Sequence, residues 1–127
     1  MIQFIMIQTN NYLLAAIPPL ENVQTYYLRR VGHMVTFACG IKPGVLRSRY
    51  NVVWSNDVNC LISTTFQNVR PRYELHLENF SLTIHQLQLN DQGNQYRCDV
   101  IVDNPQSTAD FYSSGPYISL AVYGKFQ

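Results

Sequence analysis

The chain has 127 residues, 46% of them apolar and only 13% charged, with nine Lys and Arg against eight Asp and Glu for a formal net charge of +1. This is one domain's worth of polypeptide, and its low charge speaks against a solvated coiled coil or a charge-driven disordered tail. The balanced charge argues against nucleic-acid binding by a strong positive field, and the longest apolar run, Tyr12 to Ile17, falls far short of the roughly 18 residues of a membrane span.

In chain order, Met1 to Ala16 comes first. It opens on the apolar Ile2-Gln3-Phe4-Ile5-Met6-Ile7, has no basic start, and is interrupted by Thr9-Asn10-Asn11. An N-terminal extension is expected here, an ordered arm in preference to a residual leader. Val35, Phe37 and Cys39 then alternate with Thr36 and Ala38, the period of a half-buried strand. Lys42-Pro43-Gly44 is a turn, and Lys42, Arg47 and Arg49 give this loop a basic rim. Val52 and Trp54 share one face of the next strand, while Asn51, Val53 and Ser55 share the other. Ser55-Asn56-Asp57 turns the chain toward Cys60. Tyr73, Leu75 and Leu77 alternate with Glu74 and His76; Leu82 and Ile84 alternate with Thr83 and His85. Asn90-Asp91-Gln92-Gly93 is a turn. Tyr96, Cys98 and Val100 form one face, with Arg97, Asp99 and Ile101 on the other. A long connection follows from Asp103 to Pro116, ending in the turn residues Ser113-Ser114-Gly115-Pro116. Ile118, Leu120 and Val122 close the series, with Tyr117, Ser119, Ala121 and Tyr123 facing away from them. Many short amphipathic strands separated by turn residues predict an all-β, two-sheet sandwich or a barrel.

Two features narrow this. Cys39 and Cys98 each fall at an inward position of a strand, and the lone Trp54 lies between them in sequence. Val31-Gly32-His33-Met34-Val35-Thr36-Phe37-Ala38-Cys39, Phe80 to Leu87, and Asp91 to Cys98 complete a pattern that resembles the immunoglobulin superfamily, most closely its variable (V-set) type. The likeness covers about Ile17 to Tyr123, and residues 17–127 are taken as the domain. It implies an antiparallel immunoglobulin-like sandwich with an inter-sheet Cys39–Cys98 disulfide, and a core built on Trp54, Tyr96, Leu82 and Ile84. It also implies an ion pair at the E–F turn between Arg72 and Asp91. Asp91 lies one residue further from Cys98 than the family's spacing, so an insertion is expected there and Arg70 competes for the pairing. The short interval between the cysteines implies a small or missing C″ strand. Strand G lacks the G-x-G bulge of antigen-receptor chains. On chain-entropy grounds, a bridge closing a loop of about 60 residues contributes roughly 4 kcal/mol. Such bridges persist in oxidising compartments, so an extracellular location is expected.

Cys60 is left over, at the start of strand C′. A small half-buried side chain and a thiol open to intermolecular pairing are both compatible with that place. Asn79-Phe80-Ser81 is an N-glycosylation sequon at the predicted D–E turn. No catalytic set, phosphate loop or cofactor fingerprint is present, and His33, His76 and His85 fall on separate strands or turns, so neither enzyme activity nor a metal or cofactor is expected. Recognition of another protein remains. The outer face of the GFCC′ sheet carries Val53, Arg97, Asp99, Ile101, Tyr117 and Tyr123, and the F–G loop adds Phe111 and Tyr112. The expected function is an extracellular recognition module of a cell-surface receptor or adhesion protein, with another protein or a second copy of itself as partner and its membrane anchor elsewhere in the parent. The alternatives are a spacer in a multidomain ectodomain and a secreted or viral immune decoy.

Overall fold

A computed structural model describes residues 22–41, 50–65, 71–93, 95–102 and 112–124. The N-terminal extension, the basic loop with Lys42, Arg47 and Arg49, Arg70, and Phe111 lie outside these residues. Among the described residues the strands are β1 (Tyr26–Arg30), β2 (Val35–Phe37), β3 (Tyr50–Ser55), β4 (Cys60–Ser63), β5 (Tyr73–Leu75), β6 (Leu82–Ile84), β7 (Gln95–Val102), β8 (Tyr112–Ser114) and β9 (Ile118–Tyr123). One sheet has the order β1-β9-β7-β3-β4, with β8 also on β7; the other is β2-β6-β5. β1 runs parallel to β9, and the other pairings are antiparallel.

The period-two pattern decides what lies between the sheets. Tyr50, Val52 and Trp54 of β3, Tyr96, Cys98 and Val100 of β7, and Ile118, Leu120 and Val122 of β9 are all buried. From the small sheet Val35, Phe37, Leu82 and Ile84 meet them. Trp54, Tyr96, Leu82 and Ile84 have no exposed surface. The Phe37 ring centroid lies 4.9 Å from that of Tyr96 and 6.1 Å from that of Trp54, so the aromatics form one tilted cluster across both sheets. A disulfide joins Cys39 to Cys98, with Cα atoms 5.5 Å apart, and covalently ties the two layers.

The small sheet departs from simple alternation in three places. β2 stops at Phe37, short of Cys39. Phe37 pairs with Leu82, so the same register would set Cys39 beside Phe80. Phe80 instead has φ 60°, its N–H donates to the His76 carbonyl at 2.6 Å, and its carbonyl accepts from Trp54 Nε1 at 2.7 Å. Its backbone groups are turned out of the ladder. Leu77 was expected to face inward but is exposed, because the chain has already entered the turn between β5 and β6. Thr83 was expected to face solvent but is buried: its Oγ1 lies 2.7 Å from Thr36 Oγ1 and 2.7 Å from His76 Nε2. The imidazole of His76 folds over the sheet and covers it.

Between β6 and β7 the chain makes a 3₁₀ turn, Leu89–Asp91. Gly93 follows with φ 80°, a conformation that costs glycine nothing, and the chain swings into β7. Asp91 is buried, and Arg72 grips it with two bonds, Nη1 to Oδ2 at 2.7 Å and Nη2 to Oδ1 at 3.0 Å. Oδ2 also accepts from the Gln88 N–H, and the Tyr96 hydroxyl donates to the Asp91 carbonyl at 3.0 Å. Its hydrogen bonds to Asp91 push the pKa of the Arg72 guanidinium upward, against a smaller opposing effect of partial burial. Asp91→Asn removes the charge from a bidentate pair that is about a quarter open to water on the arginine side. It is expected to cost about 2 kcal/mol, read as a lower urea midpoint at unchanged slope. Tyr96→Phe is expected to cost about 1 kcal/mol by the same measurement.

The connection after β7 also differs from a plain loop. Ser113 and Ser114, expected in a turn, belong to β8, which pairs with Asp99 to Ile101. β9 resumes the same edge of β7 further down, at Gln95 and Tyr96. The break falls at Gly115 and Pro116. Proline has no N–H to give the ladder. A side chain at Gly115 would press to 3.2 Å on the Cys98 carbonyl, the atom that its N–H already binds at 2.7 Å.

Candidate recognition surface

The outward residues of the larger sheet are set by register. Across β3 and β7, Ser55 lies beside Arg97, Val53 beside Asp99, and Asn51 beside Ile101. Each of the β3 residues is half-buried, while Ile101 is exposed. Tyr117, just before β9, reaches Arg97: Nη1 donates to the tyrosine hydroxyl at 3.0 Å, and the guanidinium carbon lies 5.1 Å from the ring centroid. On its other side Arg97 Nε is 3.2 Å from Asp99 Oδ1. The two atoms are shielded from water yet poorly aligned for a hydrogen bond, so their attraction is mainly that of opposite charges. Tyr117, Arg97 and Asp99 thus form a continuous row at the centre of the face, and Val53 closes its β3 side.

Tyr117 keeps 54% of its surface exposed despite this contact. A tyrosine ring held by a cation is a large contact area with little freedom left to lose on binding. The row therefore combines an exposed aromatic ring with charged groups of both signs, and Tyr and Arg are among the residue types enriched at binding hot spots.

Two expected members sit apart from this group. Tyr123 lies at the far end of β9. Because β9 runs against β7, it is roughly 30 Å along the sheet from Ile101. Its neighbour is Arg30 of β1. Tyr112 enters through its backbone, paired with Ile101 in β8, while its side chain and Phe111 lie outside the described residues.

β1 adds residues that the sequence reading missed. Its parallel pairing sets Tyr26 beside Ser119 and Leu28 beside Ala121, and both Tyr26 and Leu28 are more than half exposed. They line the β1 side of the outer face, Tyr26 two residues in register from Tyr117 and Leu28 two from Tyr123. The signal was present in Tyr26-Tyr27-Leu28, where only Tyr27 is buried. The motif residues that carry the family resemblance begin at Val31, just past this strand. β1 is an edge strand of the larger sheet, so these apolar side chains lie along an open edge.

The remaining chemistry-bearing residues are committed elsewhere. His85 Nε2 is 2.9 Å from Glu74 Oε1, and this hydrogen bond, aided by the charge of His76, holds the Glu74 carboxyl below the usual range. Among the described residues no group of three or more His, Cys, Asp or Glu is arranged to hold a metal ion. A shallow basic cleft is lined by Arg29, His33, Arg72 and His85, but Arg72 is spent on Asp91, while Arg29 donates to the Leu28 carbonyl and stacks on Tyr27. Cys60, outside the disulfide, is exposed at the start of β4, the edge strand.

No family model matches the chain, and no curated protein matches it. Solved structures do. A structure of tandem Ig repeats of Dlar matches with a TM-score of 0.60 at 20% identity, over 86% of this chain and 49% of that one. The fold is an immunoglobulin-like sandwich. A structure of extracellular domains 3–5 of Drosophila OTK matches with a TM-score of 0.58 at 19% identity, over 84% of this chain and 37% of that one. This chain therefore spans about half the length of the first and little more than a third of the second.

Proposed function

We propose that this immunoglobulin-like domain is a non-enzymatic, extracellular protein-recognition module of a cell-surface receptor or adhesion protein. It works through the outer face of its larger sheet and pairs there with another protein or a second copy of itself. The observation that carries the reading is the Asp99–Arg97–Tyr117 row, a half-exposed tyrosine held over a paired arginine in the middle of an open sheet. The disulfide supports an oxidising compartment, and one matched structure is by its own title extracellular. The reading takes the domain as variable-type with an abbreviated edge, since β4 has four residues.

Self-pairing is the form that is simplest to test. Molar mass by light scattering across concentration is expected to show a reversible dimer for the wild type and equally for Cys60→Ser. Tyr117→Ala should weaken it by about 30-fold, corresponding to roughly 2 kcal/mol at a binding hot spot. Monomers throughout would remove self-pairing and leave a different protein as partner. A spacer domain would tolerate Tyr117→Ala with no change in any association of its parent protein.

A further inference from the structure

We propose that Asn79 carries an N-linked glycan, attached before the domain closes, and that this glycan masks the end of the small sheet while leaving the Tyr117 face open. The inference rests on the extracellular reading above. Asn79 lies in the exposed turn between β5 and β6. Its Oδ1 accepts the Ser81 N–H at 3.0 Å, and its Nδ2, the atom that would carry the sugar, has no partner among the described residues. Two residues earlier Leu77 is 61% exposed. A bulky, solubilising glycan on Asn79 would lie beside it.

The other two sequon residues fix the order of events. Phe80 is buried, locked in a left-handed conformation with its carbonyl on the Trp54 indole, and Ser81 is buried beside it. The acceptor sequence includes the serine hydroxyl. A folded domain hides that hydroxyl, so transfer has to precede closure of the turn. In the transfer, Nδ2 of Asn79 bonds to the anomeric carbon of a lipid-linked oligosaccharide pyrophosphate. The bond from that carbon to the pyrophosphate oxygen breaks, the lipid pyrophosphate leaves with the electron pair, and the amide gives up one proton. Nothing is oxidised or reduced.

The location gives the glycan its consequence. β6 pairs with β2 so that Leu82 lies beside Phe37, and β3 pairs with β7 so that Tyr50 lies beside Val102. The turn before β6 lies in the other layer, with Phe80 level with Trp54 and Cys98 of the larger sheet. A glycan there occupies the small sheet's end and turns a partner toward the larger sheet.

The test is secretion of the full chain from a eukaryotic host behind a cleavable signal peptide. Peptide-N-glycosidase is expected to lower the mass of the wild type and convert Asn79 to Asp in its tryptic peptide. Asn79→Gln and Ser81→Ala should each lose that shift, and Ser81→Thr should keep it. With detergent-solubilised transferase and lipid-linked oligosaccharide, the reduced, unfolded chain should be modified and the folded, oxidised chain should not. A secreted, disulfide-bonded wild type with unmodified Asn79 overturns the proposal while sparing the extracellular reading. A chain retained with reduced cysteines overturns that reading and the glycan with it. Modification of the folded, oxidised chain overturns the proposed order of events.

Discussion

Replacing Cys39 and Cys98 together by alanine is expected to leave most of the chain unfolded at physiological temperature. The bridge spans 59 residues of sequence, and a loop of that size restricts the unfolded chain by roughly 4 kcal/mol. Small domains are stable by only about 5–15 kcal/mol in all. The loss is compounded by place. Both cysteines are 2% exposed and sit between the two layers beside Trp54, so the deleted sulfurs leave a gap that surrounding rings fill poorly. Urea denaturation followed by near-ultraviolet circular dichroism reads the effect. The midpoint should fall steeply in the double variant, and reduction of the wild type should reproduce the fall. A midpoint unchanged by either treatment would mean that the sheets hold together on packing alone.

The layered architecture was legible because it rests on period-two alternation, which the central strands of the larger sheet obey: Val52 and Trp54, Tyr96 and Val100, and Ile118, Leu120 and Val122. The Arg72–Asp91 pair was implied by the family resemblance, with Arg70 left as a competitor, and the structure forms it at the unusual spacing across a short 3₁₀ turn followed by a left-handed glycine. What alternation could not show is where a strand stops. β2 ends early because Phe80 turns its backbone toward Trp54 and His76, a non-local contact with no local sequence signal. Thr83 is buried by a histidine just past the neighbouring strand, and that too depends on pairing rather than on the period. On the candidate face, parity identified which residues point outward, but only register separates the Arg97–Tyr117 row from Tyr123 and sets Tyr26 and Leu28 of β1 alongside β9 between them. A surface is a two-dimensional object, and a sequence specifies one of its dimensions.

Trp54→Ala is expected to cost about 4 kcal/mol, a loss comparable to that of the disulfide, and the less drastic Trp54→Phe tells more. The indole is fully buried and does two jobs. Its rings fill the space between Phe37 and the disulfide. Its Nε1–H is bonded to the Phe80 carbonyl at 2.7 Å, within the core. Phenylalanine keeps much of the packing but leaves that carbonyl without its donor, and a buried orphan acceptor costs about 1–3 kcal/mol. Phe80 itself is held at φ 60°, a conformation that a bulky L-residue adopts only when its surroundings compel it. With the indole N–H gone, one of the two bonds that compel it is lost, and the other, from its N–H to the His76 carbonyl, stands alone. The turn between β5 and β6 should then open more readily than the rest of the domain. Trp54→Phe is accordingly expected to lose about 2 kcal/mol overall, with hydrogen exchange of the Phe80 and Ser81 amides accelerated well beyond that of Val100 in β7. Uniform acceleration across all three would mean that the indole acts by packing alone and that the turn is shaped by its own residues.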